Sequence, residues 1–299
     1  MKIQEPSGVK GKRNQERIAQ EDINEEFVIE FPLTQFQKKA IEVIYSMRAV
    51  GLRQLAEITG YTLSHVRPQM LQLHLNRFVY RRFPTKDTTE PGSKEAFFLL
   101  DEAGAIYVSG AYEIASKEVR WNKRDNLVKY ETLNHTLRVS ETRAKLEIEC
   151  RDKKHKIVNC WSDRHLYFNY TFEEKKNYIK PDMYFIYETE DTRYNYFVEV
   201  DMGTEAIRGF SKKSNSFDLK VPSYEHFKLS GDYKINFERF PRVLVLTNST
   251  ARAKKLLEAV KEKQKTKVEF LFTTFDFWDE NCTGKIFLKT DGSYCSMFD

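Results

Sequence analysis

Cysteine is scarce in this 299-residue chain: Cys150, Cys160, Cys282 and Cys295 stand far apart, and no CxxC pair occurs. That spacing argues against a structural zinc or a disulfide framework and predicts a reduced, cytoplasmic setting. Long hydrophobic runs are missing too. No stretch reaches the roughly 18 apolar residues a membrane helix needs, and mean hydropathy is −0.62, so no membrane partner is expected. The opening MKIQEPSGVKGKRNQERIAQEDINEE is polar and has no apolar h-region, which predicts no secretory leader. Nor is there a marked excess of one charge: Lys and Arg total 49 against 44 Asp and Glu, a net +5. So mild a balance does not identify a nucleic-acid binder, and the placement of charge has to decide. What is present is 40% hydrophobic and 14% aromatic residues, enough to fill packed cores and to exclude global disorder. The length fits about two domains.

Residues 1–28 are charged, contain Pro6, Gly8 and Gly11 and show no sustained period, which predicts a disordered tail. From Phe31 the pattern becomes helical. Thr34 is placed to cap a helix carrying Phe36, Ala40, Ile41, Val43, Ile44 and Met47. A short second helix (Leu52, Leu55, Ala56, Ile58) stops at Gly60, and Thr62 and Ser64 begin a third with Val66, Met70, Leu71, Leu73 and Leu75. Strands at 78–80 and 96–100 flank a polar stretch, and Asp101 is placed to cap a further helix. Three helices followed by a two-stranded hairpin predict a winged helix-turn-helix over 29–109.

Between Glu57 and Asp87 no acidic residue occurs, whereas Arg67, Arg77, Arg81, Arg82 and Lys86 fall inside that window. A groove-reading helix with a basic wing along a phosphate backbone needs such a surface. On the third helix the positions not used for packing are Thr62, Ser64, His65, Arg67, Pro68 and Gln69. They lie in its first two turns, where a recognition helix meets base edges. Double-stranded DNA is therefore the expected partner. The competing reading is a protein-binding winged helix whose Arg81-Arg82 is a solvated strand end.

Residues 110–134 are charged and predict a connector helix. Winged-helix proteins often dimerise, and a homodimer would form there, although the periodicity is too poor for a coiled coil. The remainder, 135–299, reads as a helix at about 135–150, strand material at 156–159 and 167–170, and strands at 183–187 and 194–200 around a polar turn. A polar-start helix from about Thr204, a strand at 242–246, a helix at 250–262 and a strand at 268–272 complete the order α-β-β-β-α-β-α-β. This predicts an α+β or α/β domain with a mixed sheet, because an antiparallel hairpin is followed by βα units that pair in parallel.

The sharpest stretch is Lys180-Pro181-Asp182 together with Glu199-Val200-Asp201-Met202-Gly203-Thr204-Glu205. A hairpin turning near 189–193 places Asp182 beside the Glu199–Asp201 end of the second strand. Glu199 and Asp201, two apart, share one face. Carboxylates gathered this closely repel, and Mg²⁺ or Mn²⁺ would resolve the repulsion. The bland alternative is a chance cluster at a strand end, with Asp201 or Thr204 capping the next helix.

These residues resemble the PD-(D/E)XK nuclease superfamily, in which an Asp opens one strand of a hairpin and E-x-K closes the next, over an αβββαβ core. Asp182 and Glu199 match the two acids, and Asp201 stands where the lysine is expected. The resemblance implies a lysine moved to the following helix, with Lys213 the candidate and Lys212 its neighbour, and a helical acid, Glu141, completing the metal shell with Asp201 and Glu205. With the winged helix and the His135-Thr136-Leu137 start, the series looks like the replication-relaxation family over roughly 31–275. That resemblance implies a role in plasmid replication and relaxation of plasmid DNA. A relaxase tyrosine is not implied, since the six histidines are scattered and no HUH-type pair exists. The expected function is metal-assisted nicking of DNA; the alternative is a non-catalytic initiator, accessory or regulator with a nuclease-like scaffold.

Overall fold

A computed structural model describes residues 16–84, 95–162, 165–209 and 216–299. The chain is a mixed α+β protein that divides into two compact units, residues 1–144 and 145–299.

In the first unit, α1 (Glu25–Glu30) precedes α2 (Gln35–Met47), β1 (Ala49–Gly51), α3 (Leu52–Thr59), α4 (Leu63–Leu75), β2 (Val79–Arg82), β3 (Phe97–Leu100) and α5 (Glu102–Ala111). Thr34 caps α2 as expected. Its hydroxyl accepts from Gln37 N at 3.2 Å while Gln37 Oε1 accepts from Thr34 N at 2.9 Å, so two otherwise orphaned donors are satisfied reciprocally. Gly60 stops α3 in the left-handed region at φ 77°, where a side chain would be strained. The strands form an antiparallel sheet in the order β1-β3-β2.

Two expectations fail here for physical reasons. The predicted disordered tail over 1–28 does not hold for its described part, 16–28, the rest lying outside the described residues: Ile18 and Phe27 are buried, and Arg17 pairs with Asp101. Asp101 thereby spends its carboxylate on Arg17 and makes no side-chain cap on α5. The predicted connector helix over 110–134 is instead the end of α5 and two short 3₁₀ turns, after which α6 (Tyr130–Asp152) begins. Asn122 and Asp125 cap the second turn reciprocally, and such local side-chain bonds compete with continuous helix.

The second unit adds β4 (Lys156–Ser162), β5 (Phe168–Phe172), β6 (Lys175–Ile179), β7 (Met183–Glu188), β8 (Arg193–Asp201), α7 (Phe217–Ser230), β9 (Arg242–Thr247), α8 (Thr250–Lys263), β10 (Phe270–Thr274), α9 (Phe275–Asn281), β11 (Phe287–Leu288) and β12 (Tyr294–Cys295). Seven strands pair in the order β12-β11-β10-β9-β8-β7-β4. β7 and β8 are antiparallel, with Met183 opposite Val198 and Glu188 opposite Arg193. β8, β9 and β10 run parallel, as the βα units required. β5 and β6 form a separate two-stranded ribbon. One core joins Phe197, Val243, Val245, Phe270 and Phe272 of the sheet to Phe217, Val221, Tyr224 and Phe227 of α7 and to Leu256 and Val260 of α8. Each such side chain contributes about 1.5–3 kcal/mol by leaving water. The helix expected from Thr204 starts only at Phe217.

A half-buried histidine ties α4 to the hairpin of the first unit. His74 Nδ1 lies 3.2 Å from the Arg81 amide, from which it accepts in one tautomer, and 3.3 Å from the Val79 carbonyl, to which it donates in the other. Burial first, then the charge of Arg17 and smaller effects of Arg81 and Arg77, push His74 from 6.5 down to about 4, against the pull of the Val79 carbonyl. The unfolded chain protonates this group below about 6.5 and the folded chain only near 4. Stability present at neutral pH is therefore lost as pH falls through that window. Urea unfolding at pH 7 and pH 4.5 should show about 2–3 kcal/mol less stability at the lower pH, and His74→Gln should remove that part of the slope.

Candidate functional site

β8 carries two carboxylates that meet different partners. Glu199 is 2% exposed, and α7 supplies what neutralises it. Lys220 Nζ donates to Glu199 Oε2 at 2.6 Å and the Tyr224 hydroxyl donates to Oε1 at 2.5 Å. Lys220 and Tyr224 are one helical turn apart and so reach the same point. Asp182 extends the β7–β8 ladder: its amide donates to the Val198 carbonyl at 3.0 Å, and its Oδ2 accepts from Val200 N at 2.8 Å. Tyr184 and Phe197, the pair two positions inward, both face the α7 core, so Asp182 and Glu199 share that face. Burial pushes the Glu199 carboxyl up, and the Asp182 charge adds to the push while Lys220 and Tyr224 oppose it. Burial alone would lower the Lys220 ammonium, but the Glu199 and Asp182 charges outweigh it and hold it above its ordinary value.

Asp201 belongs to a different constellation. Thr247 Oγ1 donates to its Oδ2 at 2.6 Å, and Arg252 grips it with Nε on Oδ2 and with Nη2 at 2.7 Å from Oδ1. Burial alone would raise Asp201; the hydrogen bonds from Arg252 and Thr247, the Arg252 charge and the Gly203 amide more than offset it, and the carboxyl sits below its ordinary value. Gly203 turns the chain at φ 79°, with Asn248 Nδ2 only 2.8 Å from where a Cβ would stand. The Glu205 carbonyl accepts from Arg252 Nη2 at 2.7 Å. The fingerprint from Glu199 to Glu205 thus has a physical account: one acid for Lys220, one acid for Arg252, and a glycine where the strand must turn sharply beneath Asn248.

The remaining expected site residues fall as follows. Glu141 is engaged within the first unit, 2.8 Å from Arg138 Nη1 and 3.5 Å from Gln54 Nε2. Lys213, Lys212 and Lys86 lie outside the described residues. Thr62 and Ser64 are exposed and bonded to each other at 2.9 Å, and His65 stacks on Tyr61 with ring centroids 4.7 Å apart. Arg67 is exposed, with Nη2 3.8 Å from Glu95. Gln69 Oε1 is buried with no hydrogen-bond partner among the described residues. Arg81 lies over the Phe83 ring at 5.5 Å. Arg77 donates to the Ile18 carbonyl at 2.6 Å, and Arg82 donates to the Val128 and Asn126 carbonyls. Those two guanidinium groups bind the first unit to itself, which leaves Arg67 and Arg81 as the arginines of the expected interface.

Among the described residues no group of three or more His, Cys, Asp or Glu side chains is arranged to hold a metal ion, so Asp182, Glu199, Asp201, Glu205 and Glu141 do not form an all-protein cage. Asp182 and Glu199 remain as a pair. Two carboxylates suit Mg²⁺ or Mn²⁺ that keeps waters and shares a phosphate substrate, so this donor set fits an open metal site. Lys220 and Tyr224 are the residues the sequence reading missed. Their signal is a lysine inside the apolar stripe Phe217, Val221, Tyr224, Phe227, a position where a solvated charge does not belong.

A family model described as replication-relaxation matches residues 41–243, more than half of the chain. The chain belongs to the replication-relaxation family. No curated protein and no solved structure matches it. The matched span covers Asp182, Glu199 and Lys220 but ends before Arg252. Among the described residues of this replication-relaxation protein, no helix is long and apolar enough to cross a membrane.

The Asp201–Arg252 clamp gives a direct test. Arg252→Ala leaves a buried carboxylate without its counter-charge and should destabilise the protein by about 3 kcal/mol in urea unfolding. Adding Asp201→Asn should restore part of the loss, because a neutral amide needs no guanidinium.

Proposed function

We propose that this replication-relaxation protein binds duplex DNA through the exposed start of α4 and nicks it by metal-assisted phosphodiester hydrolysis at Asp182, Glu199 and Lys220, in the replication or relaxation of a plasmid or other mobile element. The observation that carries the reading is the buried Glu199 carboxylate, held by an ammonium on the wall of a cleft and flanked by a second carboxylate. That cleft has a volume of about 630 Å³ and is lined by Glu199, Glu205, Lys220 and Tyr224 together with β6 and Lys180.

Asp182 and Glu199 would hold Mg²⁺ or Mn²⁺, which supplies a bound water of lowered pKa and charge for the scissile phosphate. Lys220, about a third exposed, presents its ammonium to the cleft, where it stabilises the charge that develops on the phosphorane-like transition state. Tyr224 fixes the second oxygen of Glu199, and Val200 N fixes Asp182. Asp201 anchors the end of β8 and takes no part in the chemistry. The lysine of the resembled nucleases therefore has its counterpart on α7. The order α6-β4-β7-β8-α7-β9 supports the same reading. In the first unit, three helices with a β1-β3-β2 sheet support a winged helix, whose first α4 turns present Thr62, Ser64, His65 and Arg67.

One observation favours a non-catalytic role in the same process: both Glu199 oxygens are already hydrogen-bonded, so a metal has to displace Lys220 or share an oxygen with it. Supercoiled plasmid incubated with the protein and Mg²⁺ or Mn²⁺ decides between the two. Open-circular product is expected, lowered about 10²-fold or more by Lys220→Met and by Glu199→Gln. Equal rates for wild type and Asp182→Ala would end the catalytic reading. Separately, Arg67→Ala with Arg81→Ala should weaken duplex binding and make the salt dependence shallower by about one unit per lost phosphate contact. An unchanged slope would remove that face from the interface.

A further inference from the structure

The ribbon of β5 and β6 has two unlike faces. Tyr170 and Ile179 are buried in the core, with Phe168 and Phe172 packed against it. By strand alternation Asn169 and Thr171 of β5 and Lys176 and Tyr178 of β6 point the other way, and Asn169 lies opposite Tyr178 and Thr171 opposite Lys176. Tyr167 and Lys180 flank the same outward face. Among these outward residues none is acidic; the Asp232 carboxylate accepts from the Thr171 amide at 2.8 Å at the ribbon's edge. Two of its residues are large aromatics left in water: Tyr167 is 46% and Tyr178 54% exposed. Their rings stack on each other, with centroids 4.5 Å apart and planes 22° from parallel. Lys176, Tyr178 and Lys180 also line the cleft that holds Glu199 and Lys220.

We infer that this outward ribbon face is a platform for single-stranded DNA, with an unpaired base stacking on the Tyr167–Tyr178 pair and Lys176 and Lys180 meeting the adjoining phosphates. The inference deepens the proposed function, because it rests on the neighbouring cleft being where the phosphodiester is cut. An aromatic face gains from a base only when that base has left its own stack, so a duplex has nothing to offer Tyr178. The cleft volume is that of a small-ligand pocket, which typically measures about 300–1,000 Å³. It accommodates nucleotides of one strand and not a double helix. The lysines supply the charge complementarity, and the aromatic pair makes binding tolerant of sequence. Recognition and cutting are thereby divided: duplex read by the first unit, a locally opened strand led into the second.

The test uses the full chain and a fluorescein-labelled twelve-residue oligo(dT), followed by anisotropy. Tyr178→Ala should weaken oligo(dT) binding about tenfold, within the span expected for one stacked base, and Tyr178→Phe should bind as wild type does. Lys176→Gln with Lys180→Gln should make the salt slope shallower by about 0.7 per lost phosphate contact. Tyr178 is exposed, so an unchanged thermal midpoint checks that the variant is folded. Oligo(dT) binding by Tyr178→Ala equal to wild type, or none by wild type, overturns the platform. The two readings separate cleanly. A platform that responds to Tyr178→Ala in a protein that never nicks plasmid keeps this inference and removes catalysis. Nicking that depends on Lys220 alongside oligo(dT) binding indifferent to Tyr178 does the reverse.

Discussion

Glu199 is an acid in the middle of a hydrophobic sheet, and its ion pair with Lys220 constrains how α7 lies on β8. An unpaired carboxylate at that depth costs several kcal/mol, so α7 has to deliver Lys220 and Tyr224 to it. Once those two residues are fixed, the rest of the helix face follows at helical spacing. Phe217, Val221 and Phe227 meet Phe197, Val243 and Phe270, and the aromatic cluster around Phe197 closes over the sheet. The polar contact sets the register of the helix and the apolar contacts supply the bulk of the stability.

The same strand makes a second demand two residues on. Asp201 sits at the end of β8, where β9 runs alongside and Asp201 lies opposite Thr247. Thr247 and Arg252 take both of its oxygens. β8 is therefore bolted twice, to α7 through Glu199 and to α8 through Asp201, and Gly203 lets the chain leave the sheet immediately afterwards. A strand end held at two points keeps Asp182 and Glu199 in fixed relation to each other.

Much of this was legible in the sequence, and the reasons for the rest are physical. The β7–β8 hairpin was readable because two apolar-aromatic runs flank a polar turn, and β8–β9–β10 because βα units force parallel pairing. Thr34 and Gly60 announced their helix ends through local chemistry. The start of α7 was not readable: Thr204 and Glu205 look like a helix start, whereas Arg252 and Asn248 bind the backbone there from elsewhere in the chain. Counting helical turns from Glu205 pointed to Lys213, which lies outside the described residues, while α7 begins at Phe217 and delivers Lys220 to Glu199. β6 reads KKNYI, with one buried residue, so hydrophobic alternation gives no strand signal. β11 and β12 are two residues long, below any periodicity. Arg77 and Arg82 looked like phosphate contacts because sequence shows charge but not the carbonyls of Ile18 and Val128 that claim it.

The departure from the nuclease pattern at position 201 is itself constrained by this geometry. A lysine there would place an ammonium against the Arg252 guanidinium and leave Thr247 without an acceptor, so two cations would meet where now one carboxylate receives four donors. With Asp201 committed to holding the strand end, any amine near Glu199 has to arrive from another element. α7 crosses the correct face, and position 220 is one turn from the tyrosine that already touches Glu199. A lysine carried on a helix is also less rigidly tied than one on a central strand. Lys220 keeps about a third of its side chain in contact with solvent while its ammonium stays on Glu199.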